Sequence, residues 1–207
     1  ASFQDWLDHA DAFNVSPDLM ATPGYQTRKP ATKEDSLFFL ALGDTEPDAW
    51  GRRVIARAHA KRREEDPKLG ALTELDYLCA VDDFSRMGAL RLRNAHGAYL
   101  ESVPAGRRAT PPIIELAKML ASSRAVELGK DTAQDLAYLQ GKGTSLGGMR
   151  PKCSILDEEG YLALGKFPSI NDERNVTRAE VLALKLAALA GINSAKAHVL
   201  VAQGTPV

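Results

Sequence analysis

The chain has 207 residues, of which 44% are hydrophobic and 26% charged, as in an ordinary globular protein of one large or two small domains. Its net charge of −1 excludes a strong overall attraction to nucleic acid or an acidic membrane. Two cysteines, Cys79 and Cys153, and four scattered histidines predict neither a disulfide framework nor a metal site. No signal peptide or membrane-spanning run is found, and a cytoplasmic location is predicted.

The first 36 residues are predicted to be irregular, because prolines and a glycine interrupt every apolar period. The next segment, Leu37–Leu42, is apolar enough for a strand or for a buried helical turn, and periodicity does not decide between them.

A first long helix is predicted to begin after Asp44-Thr45, with Pro47 near its first turn, and to run to about Arg63. Its inward face carries Trp50, Val54, Ile55 and Ala58. The rest of the helix is basic, with Arg52, Arg53, Arg57, Lys61, Arg62 and Arg63. This surface is typical either of nucleic-acid binding or of a solvated face partly neutralised by nearby acids. The solvated face is favoured, because the whole chain is neutral.

Three further helix starts carry capping signals. Thr73 followed by Asp76 resembles a capped start. Thr110-Pro111-Pro112 predicts the start of a helix that ends before Gly129. Asp131 or Thr132 is expected to cap a short helix that carries Leu136 and Leu139.

A hairpin is predicted between the first two of these helices. Residues 87–93 alternate, Asn94–Gly97 has turn composition, and residues 98–102 return. His96 at the tip is interpreted as a turn residue rather than a ligand or base.

A change of pattern near Gly141 indicates a subdomain boundary. Residues 1–140 are predicted to be helical with one hairpin. Residues 141–207 follow the order loop, strand, turn, strand, helix, strand, and the fold class is therefore α+β.

The loop at this boundary is rich in glycine, at positions 141, 143, 147 and 148. It matches neither the Walker pattern, since Met149 follows Gly148, nor the dinucleotide fingerprint. Two interpretations stay open. A strand-loop-strand clamp would turn backbone N–H groups toward phosphate oxygens, and a plain glycine-rich hairpin connection would have no ligand.

Lys166 lies on the second strand after this loop, where an inward ammonium group would need a partner and an outward one would not. Glu180 on the next helix is the candidate partner, as in a kinase N-lobe. Glu180 also completes a capping-box pattern with Thr177, which would leave it a purely local role.

That helix, from Val181 to Ala190 and closed by Gly191, is apolar nearly all round and is predicted to be buried on more than one face. Residues 195–202 are predicted to form a further strand.

Several motifs in order resemble the HipA family, the serine/threonine kinase toxins of bacterial toxin–antitoxin pairs. They are Pro47–Arg52, Leu75–Leu78, Arg86–Arg91, Gly143–Lys152, Lys166–Ser169, Asn175–Glu180 and Leu186–Ile192. The resemblance covers nearly the whole chain from about Phe38 onward.

The resemblance implies roles for residues of the second subdomain. Gly147, Gly148, Met149, Arg150, Pro151 and Lys152 would form the phosphate-binding loop. Lys166 would contact the nucleotide phosphates with Glu180 as its ion-pair partner, and Ser145 would be the autophosphorylated serine. Met149 stands where the family usually has a smaller residue.

The resemblance also implies a kinase-like N-lobe with a small antiparallel sheet and one packed helix. The reaction would be phosphoryl transfer from Mg-ATP to a protein serine, with a HipB-like DNA-binding antitoxin and a translation-related substrate as partners. DNA would be reached only through the antitoxin.

The family's catalytic and Mg-binding aspartates lie beyond the residues that match here. The 207 residues alone are therefore expected to bind nucleotide weakly or not at all and to transfer no phosphate. The alternative is a non-catalytic module that docks an antitoxin or a separate kinase half.

Overall fold

A computed structural model describes residues 8–9, 13–20, 22, 24–32, 35–83, 86–88, 90–100, 115–140 and 148–207. The fold is α+β, as the sequence predicts. Its described helices are α1 (Leu40–Gly43), α2 (Ala49–Glu65), α3 (Glu74–Cys79), α4 (Leu116–Leu128), α5 (Ala133–Gln140) and α6 (Val176–Leu189). Its described strands are β1 (Lys152–Leu156), β2 (Leu162–Lys166), β3 (Val201–Ala202) and β4 (Thr205–Pro206).

One apolar core lies between α2 and the pair α4 and α5. Trp50 and Val54 of α2 are fully buried there, against Leu136 and Leu139 of α5. These positions recur at helical spacing on one face, which is why the helices pack. Two arginines on the basic side of α2 form ion pairs, Arg52 with Glu46 and Glu74, and Arg57 with Asp131, while the choice between a solvated and a nucleic-acid-binding face stays a prediction.

A second core joins α4 to the C-terminal strands. Met119 and Leu120 pack against Cys153, Ile155 and Phe167, all at most 4% exposed. This cluster contains residues from both sides of position 141. The two predicted subdomains therefore share apolar contacts, while the division into 1–140 and 141–207 stays a prediction.

Several local expectations are confirmed. Thr73 and Asp76 form a capping box at the start of α3. Thr132, rather than Asp131, accepts the N–H of Asp135 at the start of α5. Helix α4 ends at Gly129, whose φ of 68° is left-handed. The segment Leu37–Leu42 was expected to be a strand or a buried helical turn; its residues 40–42 belong to the helix α1, but no residue of α1 is buried. The Thr110-Pro111-Pro112 start lies outside the described residues.

The predicted C-terminal strand and the predicted hairpin both form over fewer described residues than expected. Residues 195–202 were expected to be a strand, but pairing begins only at Leu200, which exchanges two backbone hydrogen bonds with Val207, and continues through Val201–Ala202 with Thr205–Pro206. The predicted hairpin around Asn94–Gly97 is present over a short stretch: Asn94 donates to the carbonyl of Ala98, Leu100 donates to the carbonyl of Leu92, and Arg93 and Tyr99 form a bridge. Periodicity alone does not show how many residues of a short apolar run pair with a neighbouring strand.

Helix α6 corrects two predictions. It begins at Val176 and its cap is Asn175, whose side chain accepts the N–H of Arg178, so the Thr177–Glu180 capping box is wrong. None of its residues is buried, so the expectation of a helix covered on more than one face is also wrong. Apolar composition shows that a helix can be buried, but it does not supply the surface that would bury it.

Candidate functional site: an anion-binding cleft

The β1–β2 hairpin brings two lysines together. Its antiparallel register pairs Lys152 directly with Lys166 at the open end. Directly opposite residues project from the same face of a sheet, so both side chains point toward one region. The hairpin closes at the predicted Asp157–Gly160 turn, where Gly160 adopts φ 84° and donates to the carbonyl of Asp157 at 3.1 Å.

Lys166 forms an ion pair with Glu180, one turn into α6. The two side chains are 44% and 39% exposed, and a pair so accessible to water contributes only about 0–1 kcal/mol to stability. The pair therefore does little to hold the fold together. The pair matters for orientation rather than for stability, because the Glu180 carboxylate holds the Lys166 ammonium group in one direction.

Lys152 is in the opposite situation. It is only 6% exposed, and among the described residues its ammonium group has no hydrogen bond or ion pair. Burial lowers the pKa of Lys152, the nearby Asp48 carboxylate opposes that change, Lys166 adds to it, and Glu180 opposes it. Burying a cation without a direct partner costs folding free energy. Lysines with a pKa shifted in this way occur often in functional sites.

Gly148 explains why the loop can approach so closely. Its φ is 102°, and a Cβ atom at this position would collide with Lys152 Nζ. Its carbonyl accepts the backbone N–H of Trp50 at 3.3 Å, which attaches the loop to the N-terminus of α2. The left-handed backbone conformation is what favours glycine here, because the end of the flexible Lys152 side chain could move away from a Cβ atom.

Arg150 is occupied by a different contact. Its guanidinium group forms a two-bonded ion pair with Asp172, whose carboxylate also accepts the N–H of Ser169 at 3.1 Å. Glu127 of α4 accepts from the Ser169 hydroxyl at 2.6 Å and from the N–H of Ile170 at 3.0 Å. These carboxylates hold the segment that leads into α6, and so they help to place Glu180.

These groups border a cleft of about 150 Å³. Its lining consists of Gly148, Met149, Arg150, Lys152, Lys166, Phe167, Val176, Thr177 and Glu180. Pockets for whole drug-sized ligands are larger, about 300–1,000 Å³, so this cleft has room for a phosphate group or two rather than a whole nucleotide. Two ammonium groups and a glycine backbone are suited to an anion.

The structure therefore brings together Gly148, Lys152, Lys166 and Glu180 from four separate segments. Met149 is 79% exposed at the rim, and Pro151 is buried, with its carbonyl accepting from Phe167. The predicted site residues Ser145 and Gly147 lie outside the described residues.

Sequence reasoning missed Asp48, Asp172 and Glu127. Asp48 sits just before a helix, where an aspartate is ordinarily a cap, so its residue type gave no signal. The two others act over more than 20 residues of chain, and no local pattern reports such a contact.

Comparisons with protein-family models, curated proteins and solved structures find no match. The resemblance to the HipA family thus stays a prediction. Within the described residues no group of three metal-ligating side chains occurs, and no described helix is long and apolar enough to cross a membrane.

Proposed function

We propose that this chain contains the phosphate-binding part of a serine/threonine protein kinase similar to the HipA family. The observation that carries the proposal is the Lys166–Glu180 ion pair beside Lys152 and Gly148 in one cleft. In protein kinases a strand lysine paired with a helix glutamate holds the nucleotide phosphates under a glycine-rich loop.

Each residue has a distinct task in this proposal. Lys166 binds phosphate oxygens and Glu180 positions its ammonium group. Lys152 supplies a second positive charge from the loop side. Gly148 allows the loop backbone to lie against the ligand. Arg150 belongs to the supporting structure, because it would have to leave Asp172 to reach a phosphate.

The proposed ligand is ATP, and the proposed chemistry is transfer of its terminal phosphoryl group to a protein serine in the cytoplasm. Mg²⁺, when bound, neutralises charge on the β- and γ-phosphates. Autophosphorylation of Ser145 would add a charge of about −1.5 to −2 next to the loop and oppose ATP binding. A HipB-like antitoxin and a translation-related protein are the partners proposed by resemblance.

Titration calorimetry with ATP and with pyrophosphate tests the binding step. Lys166→Met is expected to weaken binding about 10–100-fold, the loss of one charge-assisted hydrogen-bonding group. Glu180→Gln is expected to weaken it less, because the ammonium group remains but loses its fixed direction. Lys130→Met, the same change at an exposed position outside the cleft, is the matched control. Equal affinity of all four proteins would reject the proposal.

The exposed face of α6 favours a second candidate, a non-catalytic module that docks an antitoxin or a separate kinase half. Leu182, Leu186 and Leu189 are 58%, 55% and 86% exposed. They recur at helical spacing, as the anchors of a helix-in-groove contact do. In a docking module Leu186→Asp would abolish partner binding while Lys166→Met would not.

A further inference from the structure

Asp48 lies beside the cleft, at the start of α2. It precedes α2, where an aspartate usually accepts a helix N–H, yet its side chain makes no capping bond. Its Oδ1 atom is buried and without a hydrogen bond. A buried carboxylate oxygen left without a donor is costly, so a second reason for its presence is required.

The nearest unpaired positive charge is the ammonium group of Lys152. Both side chains approach the same point, because a Cβ atom on Gly148 would collide with Lys152 Nζ and lie 3.8 Å from Asp48 Oδ2. The two groups nevertheless do not form a direct ion pair within the described residues. Both groups lie beside Gly148, and neither has a full set of hydrogen-bond partners among the described residues.

We propose that Asp48 is the resident counter-ion of Lys152, and that an anion entering the cleft competes with Asp48 for this ammonium group. Asp48 is then an affinity-determining residue supplied by the helical part of the chain. The inference rests on the proposed phosphate-binding function of the cleft.

The electrostatic environment agrees with this assignment. Burial raises the pKa of Asp48, and the Lys152 ammonium group opposes that rise, with a smaller opposing effect from the backbone N–H of Trp50. The other charged groups facing Lys152 are Lys166 and Glu180, which form an ion pair with each other. Arg150 at the rim is neutralised by Asp172. Among the described carboxylates at this end of the cleft, Asp48 is therefore the one that has no ion pair.

Asp48→Asn removes the charge and keeps the shape of the side chain. It is expected to lower the pKa of Lys152, measured by NMR titration of the lysine side-chain signals in the full chain. It is also expected to tighten pyrophosphate binding by about 3–10-fold, since the anion no longer competes with Asp48 for the Lys152 ammonium group. Asp48→Glu should restore both values toward those of the original protein.

Two controls separate this effect from a structural one. Asp66→Asn makes the same change at the far end of α2, about 25 Å away, and should alter neither measurement. In a Lys152→Gln background, Asp48→Asn should no longer tighten binding, because the group for which the two anions compete is gone.

The outcomes are distinct. An unchanged pKa of Lys152 in Asp48→Asn overturns the counter-ion assignment. Unchanged or weaker pyrophosphate binding, or tightening that persists without Lys152, overturns the competition. If pyrophosphate binds neither protein while the pKa of Lys152 still falls, the counter-ion assignment stands and the proposed phosphate-binding function fails.

Discussion

Helices α5 and α6 are both rich in leucine and alanine, yet they have opposite environments. In α5, Leu136 and Leu139 are at most 1% exposed, against Trp50 and Val54 of α2. In α6, Leu189 is 86% exposed and no residue is buried. The comparison shows that composition determines how much a helix gains from burial, and the rest of the fold determines whether it is buried.

The test with the largest expected effect makes the same leucine-to-alanine change in each helix. Leu139→Ala is expected to lower the free energy of unfolding by about 2–5 kcal/mol, because it leaves a cavity in a closed core. Leu189→Ala is expected to change it by less than about 0.5 kcal/mol, since its side chain is already in water. Urea unfolding measures both, and similar losses would show that α6 is packed in solution.

The start of α5 provides a pH-dependent test. The backbone N–H of Thr132 lowers the pKa of Asp135, helped by hydroxyl donors of Thr132 and Ser122. A lowered folded-state pKa stabilises the protein above the unfolded value of about 3.9, and this contribution is lost as the pH falls through the folded-state pKa. Asp135→Asn should cost about 1 kcal/mol at neutral pH and progressively less below pH 4.

Asp66→Asn, an exposed carboxylate at the end of α2, is the control for the change in net charge. Urea midpoints between pH 7 and pH 3 provide the measurement. If the deficit of Asp135→Asn is the same at both ends of this range, the carboxylate of Asp135 does not stabilise α5.

The smallest expected effect concerns the cap of α6. Asn175→Ala removes the bond to the N–H of Arg178 at 3.0 Å. Because α6 has no buried residue, we expect it to open locally, with global stability changed by less than about 0.5 kcal/mol. Hydrogen exchange should then speed up in α6 amides and stay unchanged in α5; equal protection of both helices would contradict this.

Local chemistry was predictable from the sequence, and long-range placement was not. Thr73, Thr132 and Gly129 mark helix ends because each acts on its own turn. The Lys166–Glu180 contact was predicted from the order strand, then helix. The cap Asn175 was missed because Thr177 with Glu180 offers an equally good local pattern, and only the observed start of α6 decides between them.

The rest of the cleft depends on contacts between distant segments. Asp48 and Gly148 meet because the start of α2 lies against Gly148, whose carbonyl accepts the N–H of Trp50, and no window of sequence contains that information. Likewise, Lys152 and Lys166 were predicted individually, but their pairing follows from the hairpin register.

Gly165 lets β2 lie close to Cys153, since a Cβ there would come within 3.1 Å of the sulfur and 3.5 Å of Leu116. The thiol is fully enclosed and has no room for an added group. A bulky alkylating reagent can therefore reach it only after the hairpin separates from α4, because enclosed thiols are inert. The rate at which Cys153 is alkylated therefore measures how often the β1–β2 hairpin separates from α4.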